Sequence, residues 1–159
     1  MAELTQLESK LGEVMGLAQA AQEATAKVTK LVDDDEIQKT LDRMRQEAEE
    51  TEQRCEEVAG SFEGKKTAIQ EQAKETKSEA KEMMQTYLGD EVEALDGFEF
   101  LTMAEAAELG HWEIVKKMAD TIGEKQVTYL ADWAVGVQRK HCEIVRESSL
   151  ELAATEASG

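Results

Sequence analysis

Apolar residues recur at three- and four-residue intervals through most of the chain, which is the spacing of amphipathic α-helices. Two long stripes in the first part predict helix A over about 3–31 and helix B over about 35–60. The stripes consist of Leu4, Leu7, Leu11, Val14, Ala18, Ala21, Val28 and Leu31, and of Ile37, Leu41, Met44, Ala48, Thr51, Cys55 and Val58. The aspartates at 33–35 supply an N-cap and negative charge at the start of helix B. A pair of amphipathic helices is expected.

The middle of the chain is more polar than its two ends. Residues 63–88 are rich in Glu, Lys and Gln and predict a mostly exposed connecting helix, with disorder of its polar part as the alternative. The following segment, 89–101, is predicted as a linker. Its aromatic residues, Phe98 and Phe100, are expected to plug the end of a helical bundle.

The last third of the chain predicts helix C over about 102–122 and helix D over about 124–154, separated by Gly123. Thr102-x-x-Glu105 has the spacing of a capping box and is expected to open helix C. The predicted inward positions are Leu101, Ala104, Glu108, His111, Val115, Met118 and Ile122 in helix C, and Val127, Leu130, Ala134, Val137, His141, Ile144 and Ser148 in helix D. Both stripes therefore contain polar residues.

Composition supports an all-α fold in a single domain, 1–159. Proline is absent, aromatic residues make up 4%, and 41% of the 159 residues are hydrophobic, enough for a sizeable core. The net charge of −17 would repel nucleic acid and anionic membranes. Solvated helix faces explain this charge, with a high-salt habitat as the alternative. The two cysteines, Cys55 and Cys142, form no disulfide framework, and no signal or membrane segment is recognised, so a reduced, cytoplasmic protein is expected.

The only two histidines close two short runs that carry potential ligands. His111 ends Glu105-x-x-Glu108-x-x-His111, and His141 ends Gln138-x-x-His141. Residues three apart share a helix face, and Glu-x-x-His runs on facing helices form the dinuclear metal sites of some four-helix bundles. A hairpin folded between helices C and D would place Glu105 level with His141 and Glu108 level with Gln138. Buried ionisable groups are costly unless they pair or bind a cation, so this cluster is the candidate site.

The order of these elements resembles the ferritin-like superfamily, and within it the small stress-response proteins of the YciE/YciF type. The matching segments are Leu7-Glu8-Ser9-Lys10-Leu11, Gln46-Glu47-Ala48-Glu49-Glu50-Thr51, Gly64-Lys65-Lys66 and Glu105-x-x-Glu108. The resemblance implies a ferritin-like four-helix bundle with an additional connecting helix. It also implies a stress-related role.

The same resemblance implies a set of metal ligands. Glu8 resembles the helix A carboxylate, Glu105 and Glu108 the helix C pair, and His141 the helix D imidazole. Gln138 departs from the pattern because a glutamate is expected there. On helix B, inward Ala48 and Thr51 occupy positions with the spacing of Glu-x-x-His. The tentative metal ligands are therefore Glu8, Glu105, Glu108, His111, Gln138 and His141, and the set is incomplete.

Three functions remain open from the sequence. The first is a bundle that lost its metal and has a structural or partner-binding role. The second is a reduced iron, manganese or zinc site, with oxygen or peroxide chemistry or iron handling if the metal is redox-active. The third is an elongated coiled coil. No catalytic nucleophile or phosphate loop is recognised. A homodimer is the default expectation. Measurement of particle size and shape in solution would distinguish a compact particle of one or two chains from an elongated coiled coil.

Overall fold

The computed structural model describes residues 2–159, and this part of the chain forms five α-helices and no strand. The helices are α1 (Gln6–Thr29), α2 (Asp35–Gly60), α3 (Lys66–Tyr87), α4 (Ala94–Ile122) and α5 (Lys125–Ser158). The all-α prediction is therefore confirmed. Within residues 2–159, no helix combines the length and apolar character that a membrane crossing requires.

The observed helix ends show which capping signals operate. α1 begins after Thr5, whose side chain accepts a hydrogen bond from the Glu8 backbone while the Glu8 carboxylate accepts one from the Thr5 backbone. α2 begins at the predicted position because the Asp34 carboxylate caps it. Gly123 ends α4 in the left-handed conformation, as its place between helices C and D predicts.

The predicted linker over 89–101 and the predicted start of helix C at 102 are wrong. α4 begins at Ala94, where Glu93 and Asp96 form a capping box. Thr102 lies within the helix and donates its hydroxyl hydrogen bond to the Phe98 carbonyl oxygen, one turn earlier. Phe98 and Phe100 are therefore helical core residues.

Four helices pack as a ring, in which α1 and α5 each contact both α2 and α4. α1 and α4 run antiparallel, since Val28 near the end of α1 lies against Gly97 near the start of α4. α2 and α5 meet through Glu47 and His141. The connecting helix α3 packs mainly along the outside of α1 and has few buried residues, as its polar sequence predicts.

The core consists of two apolar clusters. One contains Leu11, Cys55, Trp112, Val115 and Val127, and the other contains Val28, Leu41, Phe98, Leu101 and Val145. In α2, α4 and α5, the residues that separate the two clusters along the chain include Glu47, Glu105, Glu108, Gln138 and His141. We call these five residues the polar layer, and its position midway along the helices makes it the candidate functional site.

α1 and α3 approach closely at two glycines on α1. A Cβ atom at Gly16 would overlap the backbone oxygen of Ala73, and one at Gly12 would lie 2.9 Å from the backbone oxygen of Ile69. Gly12 and Gly16 are one helical turn apart, so they form a flat strip on which the α3 backbone rests. This strip gives α3 a defined position despite its small number of buried side chains.

We expect Gly16→Ala to lower the free energy of unfolding by roughly 1–3 kcal/mol, because the added methyl group forces α3 away from α1. Gly136→Ala is the matched control, since it lies inside α5 with open space at its Cβ position. That change should stabilise the protein by about 0.5–1 kcal/mol through helix propensity. Urea unfolding measures both, and equal effects of the two substitutions would contradict the close contact.

Candidate functional site

His141 is the centre of the polar layer. Its imidazole is almost fully buried on α5, with Nε2 2.8 Å from Glu47 Oε1 and Nδ1 3.2 Å from Glu105 Oε1. The two carboxylates come from α2 and α4, so one side chain connects three helices. The level pairing of Glu105 with His141 that the predicted C–D hairpin requires is present.

The partners of His141 determine its protonation state. Burial by itself lowers the pKa of His141, but hydrogen bonds to Glu105 and Glu47, together with their negative charges, outweigh burial and raise that pKa above 6.5. A neutral imidazole carries one N–H, whereas here both ring nitrogens face carboxylate acceptors. The geometry therefore favours the doubly protonated imidazolium, which has no lone pair for a metal ion.

Gln138 completes the contacts of the Glu105 carboxylate. Its amide Nε2 donates to Glu105 Oε2 at 3.3 Å, while Glu105 Oε1 faces His141. A glutamate at 138 would instead place a second carboxyl group against Glu105, and the pair would need a cation or a retained proton between them. The amide of Gln138, at the position where the resemblance predicts a glutamate, therefore suits the Glu105 carboxylate beside it.

Glu108 is the least satisfied member of the polar layer. It is buried beside Glu105, and its Oε2 atom has no hydrogen-bond partner. Burial, and next the charge of Glu105, raise the pKa of Glu108 well above 4.5, which favours the neutral acid. Burial also raises the pKa of the Cys55 thiol, so this thiol remains protonated.

Two predicted site residues lie outside the polar layer. Glu8 is occupied by the α1 capping box and by Lys65, whose ammonium group is 3.0 Å from Glu8 Oε1. Although burial raises the pKa of Glu8, the Thr5 and Lys65 contacts outweigh it and lower the pKa below 4.5. His111 is only half-buried, and its Nδ1 atom hydrogen-bonds to the Ala107 carbonyl oxygen at 2.8 Å. The inward position near it belongs to Trp112.

Glu47 is the functional residue that the sequence reasoning missed. It occurs in the acidic stretch that resembles the family, but it is neither in the predicted apolar stripe nor among the predicted ligands. The adjacent residue, Ala48, is buried as predicted, and the Glu47 side chain remains 29% exposed. A glutamate beside an inward alanine is the signal that would have identified it, because Glu105 can pair with only one of the two ring nitrogens of a buried histidine.

Among residues 2–159, no group of three or more His, Cys, Asp or Glu side chains has an arrangement suited to holding a metal ion. Comparisons with protein-family models, curated proteins and solved structures found no match. The ferritin-like resemblance therefore remains a prediction from the sequence.

The raised pKa of His141 predicts how stability changes with pH. A group whose pKa is higher in the folded state binds more protons when the protein is folded. Its contribution to the free energy of unfolding is therefore complete below the pKa of the unfolded state, and it is lost as pH rises through the pKa of the folded state. For His141, the loss begins as pH rises through about 6.5. The free energy of unfolding of the parent protein should therefore decrease above this pH.

Urea unfolding across a pH series measures this decrease. In His141→Gln, the decrease above pH 6.5 should become shallower because the titrating group is absent. His111→Gln is the matched control, since it removes the other histidine from a position outside the polar layer. An unchanged pH slope in His141→Gln would contradict the assigned imidazolium.

Proposed function

We propose that this protein is a ferritin-like helical bundle with a structural or partner-binding role, in which an internal ion-pair network occupies the place of a metal centre. The observation that carries the proposal is the position of His141 between two carboxylates, with both ring nitrogens engaged. The stress-related role, the cytoplasmic location and the homodimer that the resemblance and composition imply are parts of the same proposal.

The packing of the helices supports the ferritin-like part of this proposal. A first pair, α1 and α2, is followed by α3 and by a second pair, α4 and α5, and the two pairs contact through α1–α4 and α2–α5. The potential ligands lie on α2, α4 and α5, near the middle of the bundle. This is where ferritin-like proteins build their dinuclear sites from facing helices.

The charge balance of the polar layer supports the absence of a metal. Imidazolium at 141 compensates one of the two carboxylates that contact it, and the amide of Gln138 binds the second oxygen of Glu105. The raised pKa of Glu108 favours the protonated form of this group, which carries no negative charge. Protons and an amide hydrogen thus compensate the negative charge of these carboxyl groups, which is what a divalent cation would otherwise do.

The exposed apolar side chains support a role in association. Ile122 and Tyr129 flank the α4–α5 turn and are about two-thirds exposed, while Met83, Tyr87 and Met103 lie exposed on α3 and α4. Such residues are available for contacts with a partner or with a second copy. The strongly acidic surface restricts these contacts to partners that tolerate or complement negative charge.

A second candidate function is a mononuclear iron, manganese or zinc site. The unpartnered Oε2 atom of Glu108, whose carboxyl group is buried near that of Glu105, favours it. Binding would require release of protons from His141 and Glu108, after which Glu47, Glu105, Glu108 and His141 would supply hard and imidazole donors. Proton release makes such binding weaker at low pH.

Metal analysis of protein purified without an affinity tag separates these functions. We expect no stoichiometric iron, manganese or zinc, and no increase in melting temperature specific to the polar layer when each metal is added. His141→Gln and Glu105→Gln are controls for cations adsorbed to the acidic surface, since they alter only the polar layer. Stoichiometric metal that disappears in both variants would contradict the proposal.

The proposal also predicts opposite effects for the two glutamates of α4. Glu108→Leu should leave the free energy of unfolding unchanged or raise it by about 1–2 kcal/mol, because it removes an unsatisfied buried carboxyl group. Glu105→Leu is the matched substitution and should lower it by about 3–5 kcal/mol, because it removes the partner of buried His141 and Gln138. Denaturant unfolding of both variants measures the contrast, and a similar loss in both would be inconsistent with the network.

A further inference from the structure

An apolar cavity lies between α1, α3 and α4, and it reaches the polar layer. Its volume is about 120 Å³. Small alanine side chains, the methionines Met83, Met84 and Met103, and the ring of Phe100 form most of its wall. Glu105 and Glu108 are its only charged lining residues. The cavity therefore combines an apolar body with an acidic end.

Glu108 is the feature that indicates a ligand. It is a cavity-lining residue that is almost completely buried, yet its Oε2 atom has no hydrogen-bond partner. Leaving a buried carboxyl oxygen unpaired is costly, so such a group is usually matched by a partner. The Glu105 oxygens are already occupied by His141 and Gln138, which leaves Glu108 as the available polar anchor.

The side chains that line the cavity favour a positively charged ligand. An anionic head group would face two acidic side chains inside a protein of net charge −17. A primary ammonium group carries a positive charge and three hydrogen-bond donors, and its bonds to a carboxylate are shorter and stronger than neutral ones. Glu108 favours its protonated form in the free protein, so binding releases this proton to solvent and the ammonium group pairs with the resulting carboxylate. The aliphatic part of such a molecule would replace water against the alanine and methionine side chains.

The size of the cavity limits the length of the ligand. An apolar cavity of about 150 Å³ in another protein accommodates benzene, which has six heavy atoms. A cavity of about 120 Å³ is therefore suited to about five heavy atoms, with room for a longer chain only through the cavity mouth. Met83 and Met103, which are both exposed, line that mouth with unbranched, adaptable side chains.

We propose that this cavity is a binding site for a short primary alkylammonium ion, with the aliphatic chain among the alanine and methionine side chains and the ammonium group on Glu108. The site is distinct from the ion pairs of His141, because it uses the one carboxyl group that those contacts leave free. It gives the protein a small-molecule ligand in addition to any macromolecular partner.

The probe for this proposal is n-butylammonium, with n-butanol and n-butyrate as ligands of similar size and different charge. NMR spectra of the full chain, labelled at the methionine methyl groups, report the place of binding. We expect saturable shifts at Met84 and Met103, which line the cavity, and none at Met15 or Met118, which do not. n-Butylammonium should bind about tenfold or more tightly than n-butanol, and n-butyrate should not bind.

Variants test the role of the anchor and of the cavity. Glu108→Gln should weaken n-butylammonium binding about tenfold or more, because an amide cannot become the carboxylate that pairs with the ammonium group, while the shape of the side chain is preserved. Glu57→Gln is the matched control, since it makes the same substitution at an exposed position on α2 and should leave binding unchanged. Ala104→Leu should abolish binding by filling the cavity from its wall.

Any of four results would overturn the proposal. The first three are the absence of saturable shifts at Met84 and Met103, equal affinity for n-butylammonium and n-butanol, and unchanged n-butylammonium affinity in Glu108→Gln. Equal weakening by Glu57→Gln and Glu108→Gln would also overturn it, because the attraction would then come from the overall charge of the protein and not from the cavity.

Discussion

The placement of a buried histidine between carboxylates from two other helices is the constraint on which the arrangement of this bundle depends. His141 joins α5 to Glu47 on α2 and to Glu105 on α4. The apolar clusters on either side supply most of the buried area, but apolar packing tolerates sliding of one helix along another better than a hydrogen-bonded charge does. We infer that the polar layer fixes the register of three helices, at the cost of desolvating its charged groups.

The contacts of His141 also explain why the buried glutamates differ in charge and in hydrogen-bond partners. Glu105 is satisfied at both oxygens by His141 and Gln138, whereas Glu108 retains an unpartnered oxygen and favours its protonated form. One imidazolium cannot compensate every carboxyl group that a metal-binding bundle would contain. The protein instead combines two glutamates paired with His141, one neutral glutamate and one glutamine, and the neutral glutamate is left available to the neighbouring cavity.

The sequence predicts the long helices and much of the polar layer. Three- and four-residue spacing shows which residues share a helix face, and the C–D hairpin shows which residues of the two helices lie level with each other. It misplaces the start of α4, since Gly97 and the Thr102–Glu105 spacing resemble a helix boundary while the actual capping box lies at Glu93. His111 was expected to face inward, but the buried series Glu108, Trp112 and Val115 places the large indole there. Glu47 was missed because a long side chain reaches the core from a position flanking the apolar stripe, which periodicity alone does not show.

The protonation state of His141 is the central claim, and ¹⁵N NMR of the full chain labelled at histidine measures it most directly. Both ring nitrogens of His141 should keep their protons as pH rises through 6.5, and equimolar zinc or manganese should leave their signals unchanged. His111, outside the polar layer, supplies the internal reference in the same spectrum. A single protonated ring nitrogen at His141, or a shift or loss of its signals on adding metal while those of His111 stay in place, would contradict the account.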